Sequence, residues 1–443
     1  MHYLTHYKKH LGIAWPIALG QVGHVIVGLS DSIMIGQLGT YPLAASSLAN
    51  GIFSILIVFG LGASYGITPP VANAHARNDK NALRAILPQG LVLNNILGII
   101  LFLLVIAFIP VFGYLDQEPL VADLASPYFA IIGLSTIPFM TYMATKQYCE
   151  GLSLTRMAMV ISLGGNLLNI GLNYLLIYGN YGFPRLELEG AGYATLISRV
   201  IMALSMLAYI KYHKDLNGLV TKLWTTKIDK KIFRKLLKIG IPSGVQYTVE
   251  VSAFAIAAII VGWIGAKELA AHQIALSLAA LSYMMATGLS SGAMVRVGNA
   301  MGRKNIPEIR KTGFTAFHIS VLFMAIPAVI FALGRNIFPA YYIDDSQVIA
   351  MASSLLIIAA FFQLSDGLQV VGLGALRGME DVKWPTIFII FAYWVIGLPL
   401  GYYLGIKTSL GVNGVWIGLL VGLTITAVFH ISRFHILTKK MNN

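Results

Sequence analysis

The chain has 443 residues, of which 57% are hydrophobic and 11% charged, against roughly 45–50% and about 25% in an average soluble domain. That balance excludes a water-soluble fold, because the apolar surface exceeds what one soluble core buries. The formal net charge of +13 does not point to nucleic acid, because the basic residues sort by position along the chain.

Apolar runs of about 20 residues recur from end to end, each long enough as a helix to cross roughly 30 Å of hydrocarbon. In chain order the predicted spans are 11–35, 47–70, 87–112, 124–146, 157–178, 190–210, 238–263, 272–295, 313–335, 348–374, 385–405 and 411–434. Pro16, Pro138, Pro242 and Pro327 fall within them and predict kinks, which membrane helices tolerate. The first run is too long for a signal peptide, lacks a small-x-small cleavage site and holds Asp31, so it is expected to stay in the protein. Counted against these spans, about 26 of the 31 Lys and Arg residues fall on one side, while the opposite loops are acid-rich: "DQEPLVAD", "RLELEG" and "IDDSQ". The positive-inside rule then places both termini and the 211–238 segment in the cytoplasm. Cys149 is the one cysteine and has no CxxC or Cys/His companion, so it reads as a small packing residue and no structural metal site is expected.

Segment 212–236 is the longest polar interval. It divides the chain into a first six-helix lobe over 1–211 and a second over 237–443. The two resemble each other. "GLGASYGITPPVANAHARND" from Gly60 matches "TGLSSGAMVRVGNAMGRKN" from Thr287 at a shift of 226 residues, so that Asn73 meets Asn299 and Arg77 meets Arg303. The same shift pairs Pro16 with Pro242 and Gly36 with Gly262, and a shift of 227 pairs Gly151 with Gly378. An even number of helices per half makes the two parallel repeats, expected to enclose a central cleft. The expected fold is therefore an all-α integral membrane protein of about twelve transmembrane helices in two homologous six-helix bundles. Within the linker, Trp224, Ile228, Ile232, Phe233 and Leu236 recur at helical spacing among lysines and predict an interfacial amphipathic helix.

Three acidic residues, Asp31, Glu250 and Asp366, fall well inside the predicted spans. An ionised group there costs at least a few kcal/mol, so such residues normally face a polar cavity and carry function. They also break the repeat: Asp31 aligns with Ala257, Glu250 with His24 and Asp366 with Phe139. A packing demand common to both halves would appear in both. Glu250 and Asp366 belong to the first and fourth helices of the second half. If those helices adjoin, the two carboxylates make either a hard-oxygen site for a small cation or a pair sharing one proton. In the fifth helix, Asn166, Asn169 and Asn173 are spaced by three and four residues and share one face. That stripe is placed to hydrogen-bond Asp31, with Thr195 of the sixth helix as a further candidate.

"GASYG" and "GLSSG" both fit G-x-S-x-G, but they lie inside helical spans at equivalent repeat positions, whereas a nucleophile elbow needs a strand, turn and helix. Gly60 and Gly62 read instead as close-packing points, and Arg199 as a structural cation. The ten histidines form no HExxH motif. No catalytic residue is expected, and an intramembrane hydrolase is the weaker rival reading.

Four stretches carry a family resemblance: "SDSIMIGQLGTYPLAASSLA", "IPSGVQYTVEVSAFA", "VRVGNAMGRKN" and "QLSDGLQVVGLGALRGMED". Together they resemble the multidrug and toxic compound extrusion (MATE) antiporters, most closely their bacterial NorM-like branch, from about residue 10 to about 435. The resemblance implies cation-driven export of amphipathic, often cationic, drugs across a bacterial inner membrane by a monomer in contact with membrane lipids, without a bound cofactor. It implies a first-lobe proton-linked site at Asp31, Asn169 and Asn173, and a second-lobe cation site at Glu250 and Asp366, usually credited with Na+. Some sodium-coupled relatives carry a tyrosine where this chain has Phe362. The phenyl ring offers no oxygen, which leaves Gln363, backbone carbonyls or water as further ligands and leaves the coupling ion open between Na+ and H+. A flippase of lipid-linked precursors from the same superfamily would want a basic cleft, whereas the charges inside the spans are mainly acidic.

Overall fold

The computed structural model describes residues 2–115, 118–214, 216 and 228–441. Twelve helices are long and apolar enough to cross a membrane: α1 Thr5–Gly36, α2 Thr40–Ala76, α3 Lys80–Tyr114, α4 Pro119–Gly151, α5 Thr155–Tyr178, α6 Glu187–Tyr212, α7 Lys230–Ile264, α8 Ala266–Gly302, α9 Ile306–Gly334, α10 Ser346–Gly378, α11 Lys383–Ile406 and α12 Val412–Lys440. The described residues contain no strand. The predicted count of spans holds. The helices, however, run past the apolar stretches, since backbone hydrogen bonding does not stop where side-chain hydropathy falls. Two charged residues expected in loops, Glu150 and Arg377, therefore lie inside α4 and α10, and both are buried.

The expected kinks resolve individually. Helix runs uninterrupted through Pro16, Pro242 and Pro327. α4 does break, at Ser135, three residues before Pro138. A proline has no N–H for the carbonyl one turn back, and here hydroxyls take nearby carbonyls: Ser135 donates to Ile132 O at 2.6 Å and Thr136 to Gly133 O at 2.7 Å. α2 is interrupted at 65–67, and α11 contains a wider π-helical stretch at Phe391–Gly397. Outside the spans, Asp345 caps α10 by accepting from the Gln347 N–H at 2.8 Å, and its bond with Lys267, also 2.8 Å, holds its carboxyl below the usual carboxylate range.

By contacts the chain falls into two compact units. One comprises Val22–Gly244; the other joins Met1–Gln21 to Val245–Asn443. The divisions lie within α1 and α7 rather than in segment 212–236. The amphipathic helix predicted there falls largely on residues outside those described; Ile232, Phe233 and Leu236 belong to α7, and Leu236 is fully buried in the first unit.

Small residues explain how α1 and α7 each come to serve both units. In the first unit a side-chain carbon on Gly62 would stand 2.6 Å from Ser243 O, and one on Gly66 2.7 Å from Leu236 O. In the second, one on Gly288 would stand 2.5 Å from Ala18 Cβ, and one on Gly292 2.9 Å from Ala14 Cβ. Gly288 and Gly292 are the repeat partners of Gly62 and Gly66, so both sequence halves use one small-xxx-small contact. The two G-x-S-x-G matches are these contacts, and their Ser64 and Ser290 hydroxyls are spent on backbone carbonyls at 2.6 Å. Gly66→Val is expected to lower stability in detergent by about 1–3 kcal/mol through overpacking. Gly51→Val, where an added carbon meets nothing within 4 Å, is expected to be neutral in the same thermal-unfolding measurement.

Candidate ion-binding sites

In the second unit α10 packs against α8, α9 and α12, and the apolar part of α7 joins the same core. Glu250 on α7 and Asp366 on α10 are thereby brought to one cavity of about 200 Å³, lined also by Phe254, Tyr283 and Phe362. Both carboxylates are nearly inaccessible, at 4% and 2% exposure. Phe362 fills the position of the absent tyrosine and is packed edge-on to Phe254 and against Trp416, with ring centres 6.0 and 5.7 Å apart.

Gln363 is fully buried and both polar atoms of its amide lack a hydrogen-bond partner; neither it nor Gln369 is among the residues lining the cavity. The neighbouring amide is Gln369. It lies three residues beyond Asp366 on the same face of α10, and its Nε2 donates to Glu250 Oε1 at 3.4 Å. Its own Oε1 has no partner. The backbone carbonyl of Gln369 is contacted in turn by His430 Nδ1 of α12 at 3.0 Å. Carboxylate and amide oxygens are hard donors of the kind that suit Na+, and the two carboxylates are equally groups that take a proton. Among the described residues no three His, Cys, Asp or Glu side chains gather as a metal cluster.

One helical turn before Glu250, Gln246 holds a buried cation. Arg377 donates through Nε and Nη2 to Gln246 Oε1 at 3.1 and 2.6 Å, while Gln246 Nε2 donates to Val382 O and Thr386 Oγ1 at 3.0 and 2.9 Å. The guanidinium also lies over the Tyr247 ring, 5.0 Å from its centre. The reading of the sequence missed this arrangement by assigning Arg377 to a loop. Its signal is the repeat itself, since Arg377 aligns with Glu150.

The first unit holds the other cluster. Asn173 of α5 is fully buried and donates from Nδ2 to Asp31 Oδ1 on α1. Asn169, one turn earlier, fits with its amide nitrogen toward the carboxylate: it then donates to Asp31 Oδ1 over 3.0 Å, and its oxygen accepts from Thr195 Oγ1 and N over 3.3 Å. The opposite orientation would set an amide oxygen against a carboxylate oxygen. Asp31, Asn169, Asn173 and Thr195 are thus one hydrogen-bonded group. Asn166 is buried beside Gly23 of α1, where a side-chain carbon would stand 2.7 Å from its Nδ2. Arg199 of α6 donates to Ser135 Oγ at 2.7 Å and lies 4.5 Å from the centre of the Phe139 ring. It pins the break in α4, which agrees with a structural cation.

Twelve helices apolar enough to cross a membrane, an internal duplication, a buried carboxylate pair in the second unit and a carboxylate held by amides in the first describe a multi-pass membrane protein. The MatE family profile matches it twice, over residues 16–175 and 242–403, and the two matches begin 226 residues apart, as the repeat does. Similar along their lengths are the "Probable multidrug resistance protein NorM" of Rhodopseudomonas palustris, 36% identical over 98% of this chain and 93% of the relative, and the "Multidrug resistance protein MdtK" of Photorhabdus laumondii, 31% identical over 97% and 95%. In fold the chain is similar to the eukaryotic MATE transporter AtDTX14, with a TM-score of 0.88 at 19% identity over 100% of this chain and 99% of that one. It is also similar to an outward-facing multidrug resistance MATE transporter of the MOP superfamily, with a TM-score of 0.89 at 20% identity over 99% and 97%. The chain belongs to the MatE family, with NorM-like relatives.

Proposed function

We propose that this protein exports amphipathic, often cationic, compounds across a bacterial inner membrane in exchange for Na+ or H+. The observation that carries the proposal is the convergence of Glu250 and Asp366 on one cavity walled by Phe254, Tyr283 and Phe362. The relatives named for multidrug resistance support the substrate class. Binding of a cation neutralises carboxylates whose burial is otherwise unfavourable, and so favours one access state over the other. Only differential binding does this, because a cation held equally in both states shifts nothing. In the first unit, Asp31 takes the proton and the amides of Asn169 and Asn173 hold its carboxyl in place. In the second, Glu250 and Asp366 bind the cation, with the amides of Gln363 and Gln369 on the same helix as further candidates. The termini face the cytoplasm, the transporter acts as a monomer in contact with membrane lipids, and no resident cofactor or enzymatic step is involved.

The test is uphill uptake of ethidium into liposomes holding the purified protein, with a sodium gradient and a proton gradient imposed separately. Accumulation driven by at least one gradient is expected. Ethidium that merely equilibrates under both would end the antiport reading.

A further inference from the structure

His272, near the start of α8, and Trp416 of α12 are fully buried polar side chains of the second unit, and neither lines the cavity of Glu250 and Asp366. The indole Nε1 donates to His272 Nδ1 at 3.0 Å. An accepting Nδ1 fixes the neutral tautomer, with the hydrogen on Nε2, and Nε2 has no partner. The imidazole is therefore held through Trp416. An indole has a single N–H, so the same bond orients Trp416.

This pair reaches the cavity through rings in contact. The Trp416 ring lies 5.7 Å from that of Phe362, centre to centre, and Phe362 meets Phe254 edge-on at 6.0 Å. Both phenylalanines line the cavity beside Glu250 and Asp366. One turn beyond His272 on α8, Leu276 lines it as well. Phe362 has no polar atom to fix its side chain, so its place in the wall follows from the rings packed on it, and one of these is anchored by His272. The repeat shows that this row of rings is not a packing demand of both halves. His272 aligns with Ser46 at a shift of 226, and Phe362 with Ser135 at 227. The half that lacks these rings also lacks carboxylates at the positions of Glu250 and Asp366, which are His24 and Phe139.

We propose that His272 is a positioning residue for the second-unit cation site: through Trp416 it fixes the aromatic wall of the cavity, and so sets how tightly Glu250 and Asp366 hold their cation. The proposal rests on the reading of those two carboxyls as the cation site. A wall of fixed shape keeps water from the bound cation, and charges enclosed in this way attract more strongly than charges open to water. Releasing the indole lets Phe362 shift and gives up that part of the attraction.

The experiment titrates sodium, and separately acid, into purified protein with ethidium bound, and reads both the cation concentration at half-maximal release and the total released. It compares wild type with His272→Leu, His272→Gln, Trp416→Phe, His272→Leu/Trp416→Phe and Glu250→Gln/Asp366→Asn. His272→Leu leaves the indole without its acceptor. It is expected to raise the half-maximal concentration of the acting cation about fivefold, the scale of one buried hydrogen bond, with the total released unchanged. His272→Gln offers the indole an amide oxygen and restores most of the wild-type value. Trp416→Phe keeps a ring but removes the donor; it gives a similar rise and stands in if His272→Leu fails to fold. The double substitution at 272 and 416 shifts the value no further than the larger single shift, because both changes remove one bond. Shifts that add in that double variant, or a wild-type value in both single variants, would overturn the proposal, since the two side chains would then act by packing alone. A wild-type titration in Glu250→Gln/Asp366→Asn, or no release from wild type with either cation, would overturn the reading of the carboxyls and this proposal with it.

Discussion

Replacing Glu250 and Asp366 with their amides is expected to abolish the part of cation-driven ethidium accumulation that the second unit supports, while leaving a folded protein. The expectation follows from the second unit's geometry. The two carboxyls line one cavity, so they form the site as a pair, and one remaining carboxylate would still attract a cation. Amides keep the volume and hydrogen-bonding shape but cannot ionise. Folding should survive, because converting a buried carboxylate into a neutral group removes an unfavourable desolvation. Thermal unfolding in detergent checks the fold, and uptake under each imposed gradient checks the function. A wild-type rate under each imposed gradient in the folded double variant would remove these carboxyls from the mechanism.

The second large effect is expected at Asp31. Asp31→Asn should eliminate the proton-driven part of uptake and leave any sodium-driven part at the second unit in place. The carboxyl is held by amide nitrogens from Asn173 and Asn169. An asparagine at 31 retains one acceptor for them but cannot gain or lose a proton in the physiological range. Equal loss of both drives would show that Asp31 organises the first unit rather than carrying the coupling proton. A Gln369→Leu variant offers a smaller effect of the other kind: losing the amide that donates to Glu250 should weaken the response to sodium more than the response to protons.

What was legible in the sequence follows what the membrane enforces. Spans of apolar residues, the repeat at 226 and the three symmetry-breaking carboxylates could all be read directly, because hydrocarbon penalises charge strongly enough to leave a pattern. Glu150 and Arg377 escaped because a hydropathy run ends at the first charges whereas the helix does not. Their burial depends on Lys146 and Gln246, and only the fold brings Gln246 to Arg377. Gln369 carries no charge and so stands out little in an apolar span; its spacing of three from Asp366 is the sole hint. The assignment of the start of α1 to the second unit is a tertiary fact. Even so, the matched small residues Ala14, Ala18, Gly62 and Gly66 against Gly240, Gly244, Gly288 and Gly292 wrote it into the repeat.

The central claim is that a cation taken up by the buried carboxyls favours release of the drug. It is tested most directly by titrating sodium, and separately acid, into the purified protein with ethidium bound, and following ethidium fluorescence. The wild type is expected to release ethidium as one or both cations are added, and the Glu250→Gln/Asp366→Asn variant to lose the second-unit part of that response. Release at unchanged cation concentration in the variant would contradict the account, because the cation would then act somewhere other than these two carboxyls.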